Sequence, residues 1–98
     1  MKVRFAAAAT ADLEAIGDYI ARDNPGRAAS FVGELREACL GLGDFPDRFA
    51  LVARYERHGV RHRTHGPYLI FYSVGPDEVV VLHILHGAID YAGLLFPE

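Results

Sequence analysis

The chain holds one cysteine, one methionine, no tryptophan and, among its ten basic residues, a single lysine, Lys2. With Cys39 alone no intramolecular disulfide can form, and a reducing compartment, the cytoplasm, is the expected location. No run reaches the roughly 18 apolar residues that a membrane-spanning helix needs, so no membrane partner is expected. The first fifteen residues look faintly like a secretion signal, but Asp12 and Glu14 interrupt them and they flow into an amphipathic pattern. Export is therefore not expected. The scarcity of lysine and a net charge of −3 leave little positive field for phosphates, which argues against direct, sequence-specific nucleic-acid binding.

What is present describes a globular chain. Its 51% hydrophobic and 23% charged content lies far from the composition of disorder, and 98 residues fit one domain spanning 1–98 with one modest core. Lys2–Phe5 reads as a strand. Thr10 then suits the cap of a first helix running to about Arg22, with Leu13, Ile16 and Ile20 at helical spacing and Asp18 and Arg22 as an i,i+4 pair. Asn24-Pro25 opens a second helix over about 25–42, striped by Ala28, Phe31, Val32, Leu35, Cys39 and Leu42 and ended by Gly43 and Pro46.

Beyond Arg57 the period falls to two, giving strands over Arg57–Thr64, Tyr68–Val74 and Val79–Leu85 joined by Gly66-Pro67 and Gly75-Pro76-Asp77. Asp90–Phe96 reads as a last turn or two of helix. The fold class is α+β: an N-terminal strand, an antiparallel two-helix hairpin, a three-strand antiparallel meander and a short C-terminal helical segment. Its core should include Leu13, Ile16, Ile20, Phe31, Leu35 and Ile70. The last two strands are apolar on both faces, whereas one helical hairpin covers one face. The other must be covered by the C-terminal segment or by a partner chain.

The charged and nucleophilic side chains give no specific catalytic signature. His58, His62 and His65 invite a metal reading, but Gly59 stands where the zinc-protease helix pattern needs a glutamate after its first histidine, and strand alternation sets His58 and His62 opposite His65, so no metal and no cofactor is expected. Cys39 sits in an apolar stripe and reads as core. Residues 54–65 concentrate Arg54, Arg57, Arg61 and Arg63 against Glu56 alone. Arg61 and Arg63 share a strand face and can grip a carboxylate or phosphate, although charges on an edge strand also serve simply to prevent aggregation. His86, at the end of the last strand, reads as a structural histidine or a catalytic one.

More specific than the topology is the text itself. Tyr19-Ile20, Asp23-Asn24-Pro25, Ala28, Phe31-Val32, Leu35, Leu42 and Pro46, followed by Gly59-Val60-Arg61, Gly66, Tyr68-Leu69-Ile70-Phe71-Tyr72 and Leu85-His86-Gly87-Ala88 with Asp90, resemble the signature of the ParE branch of the RelE/ParE toxins over nearly the whole chain. The resemblance implies the toxin of a type II toxin–antitoxin pair, an inhibitor of DNA gyrase held in a hetero-oligomer by a cognate ParD-like antitoxin. It implies binding rather than catalysis. Ile89 departs from the pattern, since arginine is expected between Ala88 and Asp90.

Three assignments follow as expectations. Arg57, Arg61 and Arg63 form a basic surface for an acidic antitoxin segment; Tyr91, Leu94, Leu95 and Phe96 contact the target or else cover the sheet. The alternative within the superfamily is a RelE-like, ribosome-dependent mRNA endonuclease, for which Arg61, Arg63, His86 and Tyr91 are the available acid, base and clamp. A third reading is an inactive member retained for complex formation.

Overall fold

The computed structural model describes residues 1–96. Strand β1 (Lys2–Phe5) leads into helices α1 (Ala7–Ala21) and α2 (Pro25–Leu40), whose end tightens into a 3-10 turn over Gly41–Gly43. A second 3-10 turn (Glu56–His58) precedes β2 (Val60–His65), β3 (Tyr68–Val74), β4 (Glu78–His86) and the short α3 (Ala92–Leu95). The expected element order is present. The sheet order is β1-β4-β3-β2, with β1 parallel to β4 and the other pairs antiparallel. Among the described residues no helix is long and apolar enough to cross a membrane.

Local chemistry explains the boundaries. Asn24 accepts the Arg27 N–H through its side chain and Pro25 begins α2, where its missing donor costs nothing. Thr10 does not cap α1, contrary to the sequence reading. The β1 ladder ends with the Ala6 N–H on the Val81 carbonyl, and extended Ala6 passes directly into the helix, leaving Thr10 one turn inside it. Strand β2 starts three residues later than Arg57, because Gly59, at φ 71°, closes the preceding 3-10 turn. The expected Asp18–Arg22 pair is replaced by the Arg22 guanidinium over the Tyr19 ring, 6.0 Å from its centroid.

Both sheet faces are covered, each by a different part of the chain. On one, Leu13, Ile16, Phe31, Leu35, Cys39 and Leu42 meet Ile70, Tyr72, Val79, Val81 and Ile84. Ile20, expected in this core, is only half-buried at its margin. On the other face Val52, Val60, Phe71, Leu85 and Phe96 form a second cluster.

Where β1 stops, β4 continues with an open edge, and α1 supplies the missing acceptor. The Asp12 carboxylate takes the Ile84 N–H at 2.8 Å and lies 2.9 Å from His83 Nδ1. This satisfies a backbone donor that the sheet leaves unpaired. At the other end of β1, Gly43 packs against the Met1 carbonyl so closely that a Cβ there would collide with backbone. Gly43→Ala is expected to push β1 away from the 3-10 turn and cost about 1–2 kcal/mol, measured as a lowered urea midpoint. An unchanged midpoint would show that β1 adjusts freely.

Candidate functional site

Arg61 and Arg63 do share a face, and it is the face covered by α2. Their cross-strand partners are Tyr72 and Ile70, both buried in the helix-side core. Arg61 donates through Nη1 to the Phe49 carbonyl at 2.6 Å and the Asp47 carbonyl at 3.3 Å, with Nη2 3.5 Å from the Asp47 carboxylate. Arg63 donates through Nη1 to the Ala38 carbonyl at 3.0 Å, and its guanidinium lies 5.1 Å from the Phe49 ring centroid. The Tyr72 hydroxyl donates to the Pro46 carbonyl at 2.9 Å. Three polar side chains, Arg61 and Arg63 on the edge strand β2 and Tyr72 on the neighbouring β3, thus fasten the segment from Pro46 to Phe49 and the end of α2. Arg57 stands apart, exposed on the 3-10 turn before β2.

The remaining members of the nuclease set lie elsewhere. His86 ends β4; its ring meets that of Tyr68 edge-on at 5.5 Å, and its Nδ1 accepts the Ala88 N–H. Tyr91 lies across the sheet against Phe71, 4.8 Å between centroids. Arg61 and Arg63 on one side and Tyr91 on the other cannot converge on one phosphate without rearrangement, because the sheet separates them. His58 also leaves the strand: it rests on the Phe96 ring at 4.8 Å. His62 and His65 take opposite faces, His62 towards Phe71 and His65 towards Phe31 and Glu34. No group of three or more potential metal ligands gathers among the described residues.

In the C-terminal segment Phe96 is buried, stacked face to face on Tyr55 with centroids 4.1 Å apart, while Tyr91 and Leu95 pack beside it. Leu94 remains exposed at 54% and Ile89 at 46%. Burial pushes the Cys39 thiol up to about 12, which keeps it protonated and unreactive despite Arg63 and Arg36 nearby.

One feature escaped the sequence reading, a groove where the helical hairpin meets the start of β3 and the end of β4. It is lined by Tyr19, Ile20, Phe31, Pro67, Tyr68 and His86, with Arg27 at its rim. The signal was Tyr19, an aromatic lying outside the inward stripe of α1 and 65% exposed. Arg27 is held over the Phe31 ring and hydrogen-bonded to Glu34, and that bond is the main cause that lowers the Glu34 carboxyl below its ordinary range.

An edge-clamped four-strand sheet, with a helical hairpin over one face and a short tail over the other, is the architecture of the RelE/ParE toxins. The profile of the ParE toxin of type II toxin–antitoxin systems, parDE, matches residues 3–91, and the chain belongs to that family. Among solved structures it is similar to the chromosomal ParDE system from P. aeruginosa, at 26% identity and a TM-score of 0.76, covering 88% of this chain and 95% of that one. It is also similar to the toxin–antitoxin complex RelBE2 from Mycobacterium tuberculosis, at 26% identity and a TM-score of 0.65, covering 87% and 88% of the two chains. Among curated proteins nothing matches.

Proposed function

We propose that this type II toxin inhibits DNA gyrase in the cytoplasm and is neutralised in a hetero-oligomer by a cognate ParD-like antitoxin. The observation that carries the reading is the dispersal of the nuclease set. The Arg61 and Arg63 guanidinia donate to backbone carbonyls on the helix side, and Tyr91 lies on the other side of the sheet. Phosphoryl chemistry on RNA needs a base, an acid and a cationic clamp preorganised around one phosphate. The net charge of −3 and Ile89 in place of an arginine add to the case.

Antitoxin binding uses the basic stretch. Arg57 meets an acidic segment directly, and Arg61 and Arg63 shape the neighbouring edge through their clamps and offer their remaining donors. Target binding uses the C-terminal segment, with Leu94 exposed from the outset and Tyr91, Leu95 and Phe96 behind it. The likeness to RelBE2 sustains a second reading, a RelE-like mRNA endonuclease acting on the ribosome.

The test is expression without antitoxin, with the purified chain then assayed for inhibition of gyrase supercoiling and for ribosome-dependent cleavage of message. Inhibition without cleavage is the expected result. Cleavage abolished by His86→Ala would overturn the gyrase reading and establish the endonuclease. Neither activity, with antitoxin binding intact, would identify an inactive member retained for complex formation.

A further inference from the structure

We infer that the C-terminal segment is a strap that closes over the second face of the sheet and must peel away for the toxin to engage its target. The inference rests on the proposed target role of this segment. It also resolves a conflict in that role, because three of the four side chains assigned to target contact point inward. Phe96 is buried against Tyr55 and His58, Tyr91 lies on Phe71, and Leu95 is half-buried in the same cluster.

The way the segment is attached points to release. Its hydrogen bonds close on itself: Asp90 accepts the Ala92 N–H, Tyr91 accepts from Leu94 and Leu95, and Ala92 accepts from Phe96. Among the described residues, its last bonds to the body are those of the Gly87 N–H with the Pro67 carbonyl, of the Ala88 N–H with His86 Nδ1 and of the Ile89 N–H with the His86 carbonyl, all at the end of the sheet. Residues 88–90 are exposed. Among the described residues, apolar and aromatic contact alone holds α3 and Phe96 to the sheet. Such contact is non-directional and can be traded for equivalent contact with another surface. Among the described residues, peeling α3 and Phe96 away would break no hydrogen bond to the sheet, and α3 would keep its own.

Opening would uncover two matching surfaces, the inner side chains of the strap and the patch of Val52, Val60, Phe71 and Leu85 beneath it. The occupant is a protein surface of the target that offers apolar anchors to both. Closed, the same residues are shielded from water, which limits nonspecific association of the free toxin. Tyr55 acts as the latch. It belongs to the body and stacks on the strap, so its removal favours the open form without altering the strap itself.

Native-state hydrogen exchange followed by mass spectrometry tests the strap directly. In the wild type, the amides of Leu94, Leu95 and Phe96 should exchange through an opening nearly independent of denaturant, while those of β3 exchange only with global unfolding. Tyr55→Ala should speed exchange of the strap at least tenfold, speed that of β3 by no more than the same factor so that the strap still opens far more readily, and lower the concentration needed to inhibit gyrase supercoiling severalfold. Strap and β3 amides exchanging together in the wild type would overturn the inference whatever Tyr55→Ala does. Faster strap exchange with unchanged or weaker inhibition would overturn the requirement for opening. Should the wild type arrest growth without inhibiting gyrase, the gyrase reading falls alone. The strap then stands if Tyr55→Ala arrests growth at lower induction and falls if it does not.

Discussion

Leu35→Ala is expected to cost about 2–5 kcal/mol, a large share of the roughly 5–15 kcal/mol that holds a small domain folded. Leu35 is fully buried where α2 faces the sheet, among Leu13, Ile16, Phe31, Ile70 and Tyr72. Truncation removes the apolar burial of the side chain and leaves a cavity. A sheet pinned by its own ladder on one side and a helix held by the α1 hairpin on the other have little freedom to collapse into it. In a chain of this length each kcal/mol moves the melting temperature by about 4–8 °C, so a drop of roughly 10 °C or more is expected by circular dichroism. Leu35→Met, which keeps the volume, should cost less than about 1.5 kcal/mol. Leu40, five residues on, is 48% exposed, and Leu40→Ala should be near neutral. Equal effects at positions 35 and 40 would contradict the packing described.

The positions that were legible in the sequence share a cause. Periodicity reports which side of an element is apolar, and α2, β3 and β4 carry strong periods, so Pro25, Tyr68–Val74 and most of the core could be placed from the residues alone. Topology between distant elements leaves no such trace. That β1 lies parallel to β4, and that Asp12 completes the β4 edge at Ile84, 72 positions further on, depends on where the chain returns. Thr10 misled because a good capping residue one turn into a helix reads like a helix start. The tail illustrates a third case. Its apolar residues were visible and both of their possible roles were named, but only the stacking of Phe96 on Tyr55 decides which way they face at rest.

The basic stretch was the least legible part of the candidate site, because charge in a sequence does not say whether a cation points to solvent or to a carbonyl. Arg61 shows the difference. Its side chain is 22% exposed, and its principal contact is the 2.6 Å bond to the Phe49 carbonyl, while its partner carboxylate on Asp47 is 81% exposed and contributes little. Arg61 is therefore a clamp on the segment that covers the outer edge of β2, where Ala50 accepts the His62 N–H and Val60 accepts the Val52 N–H. Arg61→Ala should cost about 2–3 kcal/mol, since hydrogen bonds from a charged donor are lost and the Phe49 carbonyl is left in a partly buried place without its partner. Amides from Asp47 to Val52 should exchange faster as the edge loosens. Arg61→Lys, which keeps the charge but not the fork, should recover only part of the loss. Charge reversal at Arg61 and Arg63 would weaken antitoxin binding through the fold as much as through the interface. Arg57→Glu separates the two, for Arg57 is exposed on the turn before β2 and makes no clamp among the described residues. It is expected to leave the melting temperature unchanged while reducing antitoxin affinity severalfold and flattening its salt dependence, measured by titration calorimetry at two salt concentrations. Arg61→Ala melting with the wild type would overturn the clamp. Unchanged affinity and salt dependence in Arg57→Glu would remove the basic stretch from the antitoxin interface.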